Sequence, residues 1–214
     1  SSYSVRVNVN DGANNFEKAF TISITDVNEA PTDLTLSSST IAEDQPSGTT
    51  IGTFDPADVD QDENGGGTNT DNNTYTYSLV AGDGDTDNGS FAINGAGTGI
   101  ETGIALDFET KSSYSVRVNV NDGANNFEKA FTISITDVND APTALSIGST
   151  TINENSAAGS TIGQMSSTDQ DTNDQSTFTY TLVAGDGATD NASFAVSGRN
   201  LVTADGVALN YETK

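Results

Sequence analysis

Oxygen donors at recurring positions are the only chemistry-bearing groups that this sequence carries in quantity. They fall into five kinds. The first clusters Asp26, Asn28 and Glu29, and again Asp137, Asn139 and Asp140. The second is an Asp-x-Asp pair, Asp58/Asp60 and Asp169/Asp171. The third is the Asp107-Phe-Glu109 turn, matched by Asn210 and Glu212. Single glutamates, Glu43 and Glu154, form the fourth, and the Asn-Asp-Gly turns at Asp11 and Asp122 form the fifth. Carboxylates, asparagine amides and backbone carbonyls are hard donors, and a hard cation that takes about six to eight oxygens at roughly 2.3–2.6 Å would satisfy such clusters. Without a counterion the same charges would repel one another in a partly desolvated site. The sequence therefore predicts a bound hard cation at these positions.

The same inventory argues against catalysis. The chain has no His and no Cys, which removes Ser-His, Cys-His and His-metal schemes. A paired-carboxylate glycosidase is the remaining route. Asp107 and Glu109 would be its pair, but they occupy a repeated turn without the deep aromatic-lined cleft that sugar binding usually needs. The expectation is a structural or adhesive protein and not an enzyme. Lys and Arg number 7 against 31 Asp and Glu, a net charge of −24, so nucleic acid and anionic membrane faces would be repelled. No apolar run is long enough to span a bilayer, and the sequence opens mid-pattern without a signal peptide. It reads as a segment of a secreted or cell-surface protein.

Strands must position these carboxylates. Tyr114 to Asn121 and Phe131 to Thr136 alternate apolar and polar residues with period two, the pattern of a half-buried strand. Ser1 to Asn28 recurs residue for residue as Ser112 to Asn139, an offset of 111 that persists through Asp58/Asp169 and becomes 103 from Tyr77/Tyr180 onward. The first copy thus carries about eight extra residues within 61–73, a Gly/Asn/Asp-rich stretch read as a surface loop. Proline-containing linkers at Asp26–Pro31 and Asp137–Pro142 divide the chain into residues 1–29 (the last two strands of a preceding repeat), 30–140 (a complete repeat) and 141–214 (a repeat lacking its last two strands).

Within the complete repeat, strands are predicted at Asp33–Leu36 with Thr40-Ile41, Thr50–Phe54, Thr74–Val80, Ser90–Ile93, Ile100-Glu101, Ser113–Asn121 and Glu128–Thr136. Seven short strands with turns between them indicate an all-β, two-sheet Greek-key sandwich. Alternation names a core of Leu34, Leu36, Ile41, Ile51, Phe54, Tyr75, Tyr77, Leu79, Phe91, Ile93, Leu106, Tyr114, Val116, Val118, Val120, Phe131, Ile133 and Ile135. Only 33% of residues are hydrophobic, so this core is thin and bound cations are expected to support it. Antiparallel topology sends Glu43 and the Asp107 turn to the downstream end, and the Asp-x-Asp pair and last hairpin turn to the upstream end. Asp85, Asp87, Asp186 and Asp190 are expected to be turn residues.

These motifs resemble the cadherin repeat family, and specifically the bacterial cadherin-like repeats of large surface adhesins. Glu43 matches its x-Glu-x, Asp107-Phe-Glu109 its Asp-x-Glu, Asp137-Val-Asn139-Asp140-Ala-Pro142 its linker, Asp169-Gln-Asp171 its Asp-x-Asp and Asp122 its x-Asp-x. The resemblance implies about three calcium ions per linker. It also implies an extracellular stalk or filament segment in cell adhesion or biofilm, partnered by neighbouring repeats or by copies of itself head-to-tail. Direct carbohydrate or homophilic binding is the alternative. Glu29 replaces the linker Asp and Asn210 replaces the Asp of the final turn, and both changes should weaken the sites that use them. If the 214 residues are a free chain, the amino-terminal hairpin of one copy is expected to complete the carboxy-terminal sandwich of the next.

Overall fold

Alternation of β-branched and polar residues becomes strand in each segment where it was expected. The computed structural model describes residues 1–25, 27–60, 74–171 and 178–213. The chain forms two units, Ser1–Thr136 and Asp137–Lys214. In the first unit, β1 (Ser2–Asn10) and β2 (Asn15–Ser23) form a two-stranded antiparallel hairpin, with Val5 opposite Phe20. The sandwich follows with β3 (Asp33–Leu36), β4 (Thr40–Ala42), β5 (Thr50–Ala57), β6 (Thr76–Leu79), β7 (Phe91–Ile93), β8 (Gly99–Thr102), β9 (Ser113–Asn121) and β10 (Asn126–Thr136). One sheet runs β3-β5-β8-β7 and the other β4-β10-β9-β6.

The predicted first strand is split between the sheets. β3 runs antiparallel to β5, and after Ser37–Ser39 the chain crosses so that β4 runs parallel to β10, with Ile41 opposite Ile135. This crossing needs a close approach: a Cβ on Gly52 would lie 2.5 Å from Ser38 O, so only glycine fits there. Along β9 the even-numbered residues Tyr114, Val116, Val118 and Val120 are buried and their neighbours are not. The Phe54 ring stacks on Tyr77 at 4.8 Å and lies 6.3 Å from Phe131, while Phe91 meets Tyr114 edge-on at 5.6 Å. The expected core residues are all in this cluster or packed against it. Ile100, Phe108 and Phe127 join them, although alternation did not single them out.

The second unit has β11 (Ala144–Ile147), β12 (Thr161–Thr168), β13 (Phe194–Ser197) and β14 (Asn200–Thr203), ordered β11-β12-β14-β13. This is the β3-β5-β8-β7 sheet repeated. Residues 151–152 and 178–183, the counterparts of β4 and β6, are described but are not strands. The reason is pairing: in the first unit β4 is held by β10 and β6 by β9, and an extended segment without a ladder partner leaves its backbone groups to water.

Candidate metal centres

Four segments distant in sequence are brought together by hydrogen bonds at the upstream end of the sandwich. Asp122 sits in the β9–β10 turn, where its Oδ1 accepts the amides of Ala124 at 2.8 Å and Asn125 at 2.6 Å. Its Oδ2 accepts Asn28 Nδ2 at 3.0 Å. Next to Asn28, the Glu29 amide donates to Asp60 Oδ2 at 2.7 Å, and the Asp60 amide to Asp58 Oδ1 at 3.1 Å. Tyr75 closes the series, its hydroxyl donating to Asp58 Oδ2 at 3.0 Å. Burial pushes the Asp122 carboxyl up, but the amides of Asn125 and Ala124 and the side chains of Asn28 and Asn125 outweigh it and hold Asp122 below the usual carboxylate range. The anion is the favoured form at neutral pH.

The other motif residues of the complete repeat lie at the opposite end. β10 finishes there against β4, and the Glu43 amide donates to Thr136 O at 3.1 Å. Glu43 is buried, and its Oε2 accepts the Phe108 amide at 2.6 Å. Asp44, immediately after it, adopts a left-handed φ of 59° and donates its amide to Leu106 O at 3.2 Å. Aspartate tolerates that conformation better than branched residues do. Carboxylate oxygens of Glu43 and Glu109 lie within 4.8 Å of one another. Asp107 is committed to the turn, taking the Thr110 amide at 2.8 Å and the Thr110 hydroxyl at 2.9 Å.

The second unit repeats both arrangements. Asp171 Oδ2 accepts the Asp140 amide at 2.6 Å, and the Asp171 amide donates to Asp169 Oδ1 at 3.2 Å, as in the Glu29, Asp60 and Asp58 series. Asp169 and Asp171 are buried. Asp171 Oδ1 is buried with no hydrogen-bond partner among the described residues, a costly state that a coordinated cation would relieve. Asn139 donates its Nδ2 to Asp140 O at 2.8 Å, and Asp137 is exposed. Asn155 takes φ 57° after Glu154, whose Oε2 accepts the Tyr211 amide at 3.2 Å. Asn210 keeps the turn by accepting the amides of Glu212 at 2.9 Å and Thr213 at 3.1 Å, with one charge fewer than Asp107 supplies.

Two further positions complete the set. Asp11 makes the same turn as Asp122, taking the amides of Ala13 at 2.9 Å and Asn14 at 2.7 Å, but on an exposed hairpin. Asp26 lies outside the described residues, as does the 61–73 insertion.

Basic side chains engage other carboxylates. The described ion pairs are Arg6–Glu17, Lys111–Asp87, Arg117–Glu128 and Lys129–Asp33, none at a motif position. With 31 acidic and 7 basic residues, one-to-one pairing leaves 31 − 7 = 24 carboxylates over. Asp87 lies in a turn as expected, just before the 3-10 turn Asn88–Ser90, and also reaches beyond it: it binds Lys111 Nζ through Oδ1 and accepts the Ser115 amide at 2.8 Å through Oδ2, tying its loop to β9. Asp85 acts as a turn residue too, accepting the Gly82 amide at 2.9 Å. Tyr75 was expected only as core, and its hydroxyl contact with Asp58 has no sequence signal. The left-handed residues do have one, since Asp44 and Asn155 each follow a recurrent Glu. The assembled donors are all hard oxygens in irregular arrangements, a set suited to Ca2+ more than to Mg2+, which demands near-octahedral geometry.

Residues 37–136 match the family model described as the Cadherin domain. No curated protein matches the sequence. The whole chain is similar in structure to protocadherin gamma B7 extracellular cadherin domains 1–4, at 23% identity and a TM-score of 0.60, spanning 51% of that chain. It is similar likewise to the protocadherin gammaB4 extracellular domain, at 26% identity and a TM-score of 0.63, spanning 33% of that chain. Human protocadherin-24 EC1-2 matches 88% of this chain and 82% of its own at 19% identity and a TM-score of 0.61. The chain thus spans about half of the first of these and a third of the second. No helix among the described residues is long and apolar enough to cross a membrane.

Proposed function

We propose that this chain is a calcium-stiffened extracellular repeat segment that serves as a spacer in a cell-surface adhesin, partnered by neighbouring repeats. The observation that carries this reading is the hydrogen-bonded convergence of Asp122, Asn28, Glu29, Asp60 and Asp58 at one end of the complete sandwich, with Glu43 and Glu109 at the other. Such anionic ends repel in water alone. A divalent cation that takes several oxygens turns that repulsion into a constraint on the segments that supply them. The match of residues 37–136 to the Cadherin domain supports the same reading.

Calorimetric titration with calcium after chelator dialysis tests it. Binding is expected in the range of extracellular calcium modules, about 10⁻⁴–10⁻³ M. Calcium at about 100 times the dissociation constant adds about 2.7 kcal/mol per site, which for a domain of this size raises the melting temperature by about 10 °C or more. Melting curves that coincide in calcium and in chelator would remove the calcium reading.

A further inference from the structure

The loop that follows Glu43, residues 44–49, has no buried side chain of its own, and neither has its counterpart at residues 155–160. Apolar packing therefore does not hold either loop. Hydrogen bonds do, and they converge on a buried hydroxyl. Thr102 ends β8 and is 1% exposed. Its Oγ1 donates to Pro46 O at 3.1 Å and accepts the Thr49 amide at 3.1 Å. The Thr102 backbone takes the Gly48 amide at 2.6 Å and gives its own amide to Thr49 O at 3.0 Å.

The second unit makes the same clamp on a different loop. Asp44-Gln-Pro-Ser-Gly-Thr49 and Asn155-Ser-Ala-Ala-Gly-Ser160 share only the glycine. Yet Thr203, also 1% exposed, donates its hydroxyl to Ala157 O at 2.7 Å and accepts the Ser160 amide at 3.0 Å. Its backbone takes the Gly159 amide at 3.0 Å and donates to Ser160 O at 3.1 Å. Both threonines bond only to backbone groups of the loop, so changes of loop side chain leave the contact intact. What the two copies have in common beneath the loop is the threonine.

We propose that the Thr102 hydroxyl is a positioning group for the metal centre at the downstream end of the complete repeat, a role that rests on the calcium reading above. The loop it clamps starts at Glu43, and the chain that carries it runs on to Asp107 and Glu109, so one buried group restrains both arms that supply carboxylates. Neighbouring bonds extend the restraint: Ser47 Oγ donates to Gly103 O at 3.0 Å, the Asp44 amide to Leu106 O at 3.2 Å and the Phe108 amide to Glu43 Oε2 at 2.6 Å. Carboxylate oxygens of Glu43 and Glu109 lie within 4.8 Å of one another, and like charges at that distance repel. The clamp holds them against that repulsion, which spares a cation the cost of ordering them. Replacing the hydroxyl by a methyl group removes a buried donor and a buried acceptor at once.

Calcium titration of the 214-residue protein, followed by amide NMR signals, tests the role, with Phe108 reporting the downstream end and Asn125 the upstream end. Thr102→Val keeps the side-chain shape, and the Phe108 midpoint is expected to rise about tenfold while the Asn125 midpoint stays in place. Thr102→Ser retains the hydroxyl and should return the parent midpoint. Val118→Ala opens a cavity in the buried core and should move neither midpoint, which separates positioning from a general loss of stability. Ser47→Ala, on the exposed side of the loop, is expected to raise the Phe108 midpoint about twofold. A parent whose signals do not respond to calcium overturns the calcium reading and this role with it. A parent that binds calcium while Thr102→Val keeps the Phe108 midpoint overturns the role of Thr102 alone. So does a Val118→Ala shift as large as that of Thr102→Val, or a Thr102→Ser midpoint as high. If Thr102→Val does not fold, an unmoved Phe108 midpoint in Ser47→Ala overturns it.

Discussion

The two copies of one peptide, β1–β2 and β9–β10, have the same register and different burial. Arg6 opposes Ala19 as Arg117 opposes Ala130, and Arg6 reaches Glu17 at 2.8 Å as Arg117 reaches Glu128 at 3.0 Å. Both turns are locked by aspartate, Asp11 or Asp122, through amides two and three residues on. Yet Val118 is buried and Val7 is not. Strand pairing and turn geometry are therefore local properties of the peptide, whereas burial belongs to the sheet it meets. A two-stranded hairpin cannot shield its own apolar face.

A charge placed at the same point of both hairpins breaks the comparison most sharply. Val118→Glu puts an unpaired carboxylate into the core and is expected to cost the sandwich about 3–5 kcal/mol, a large share of the 5–15 kcal/mol that stabilises a typical domain. Val7→Glu is expected to leave the unfolding of the sandwich within about 0.5 kcal/mol of the parent. With no Trp in the chain, denaturant unfolding followed by circular dichroism is the measurement. Equal losses would mean that β1–β2 is also part of a core.

The turn aspartates separate structure from metal binding. Asp122→Ala removes two amide bonds and the Asn28 contact together with one ligand charge. It is expected to cost about 1–3 kcal/mol and to lower calcium affinity at that end by about tenfold or more. Asp11→Ala removes the same turn bonds from an exposed hairpin. It should leave the calcium isotherm unchanged, and matching isotherms for the two variants would detach Asp122 from the metal site.

Much of this was legible because the repeat doubles every signal. The strand segments, Asp33–Leu36 with Thr40-Ile41 among them, and the expected core follow from period-two alternation, which reports local geometry directly; the crossing of Thr40-Ile41 to the other sheet does not, because it depends on pairing with β10. The motif carboxylates could be sorted by end, since antiparallel topology carries Glu43 one way and Asp122 the other. What alternation does not reveal is pairing across distance. Asp87 lies in an Asp/Gly-rich stretch that reads as a turn, and its bonds to Lys111 and Ser115 span 24 and 28 residues. Tyr75 alternates correctly for a core strand, but its hydroxyl finds Asp58 only because the ring sits near the sheet's end. Leu145 and Leu34 occupy the same strand position, and nothing in their neighbours foretells that one is exposed and the other buried.

Acid sharpens the comparison by the smallest margin. Burial raises the Asp87 carboxyl, but the Lys111 ammonium and the Ser115 amide outweigh it and hold it below the usual range. A carboxyl depressed in the folded state stabilises the fold above its unfolded value of about 4, and that contribution disappears as pH falls through the folded value. Stability of the sandwich, measured in chelator so that metal release does not contribute, should thus stay flat from about pH 8 to pH 5 because no His titrates there, and then fall below pH 4. Asp87→Asn keeps the shape and removes the titration, so the variant should be weaker at pH 7 by about 1–2 kcal/mol and show a shallower acid slope. Asp11 is depressed as well, chiefly by the amides of Ala13 and Asn14, but its hairpin stands apart from the core. Asp11→Asn should therefore leave the slope for the sandwich where it was. A change as large as that of Asp87→Asn would show that the exposed hairpin unfolds together with the sandwich, and the separation of local strand pairing from burial would not hold.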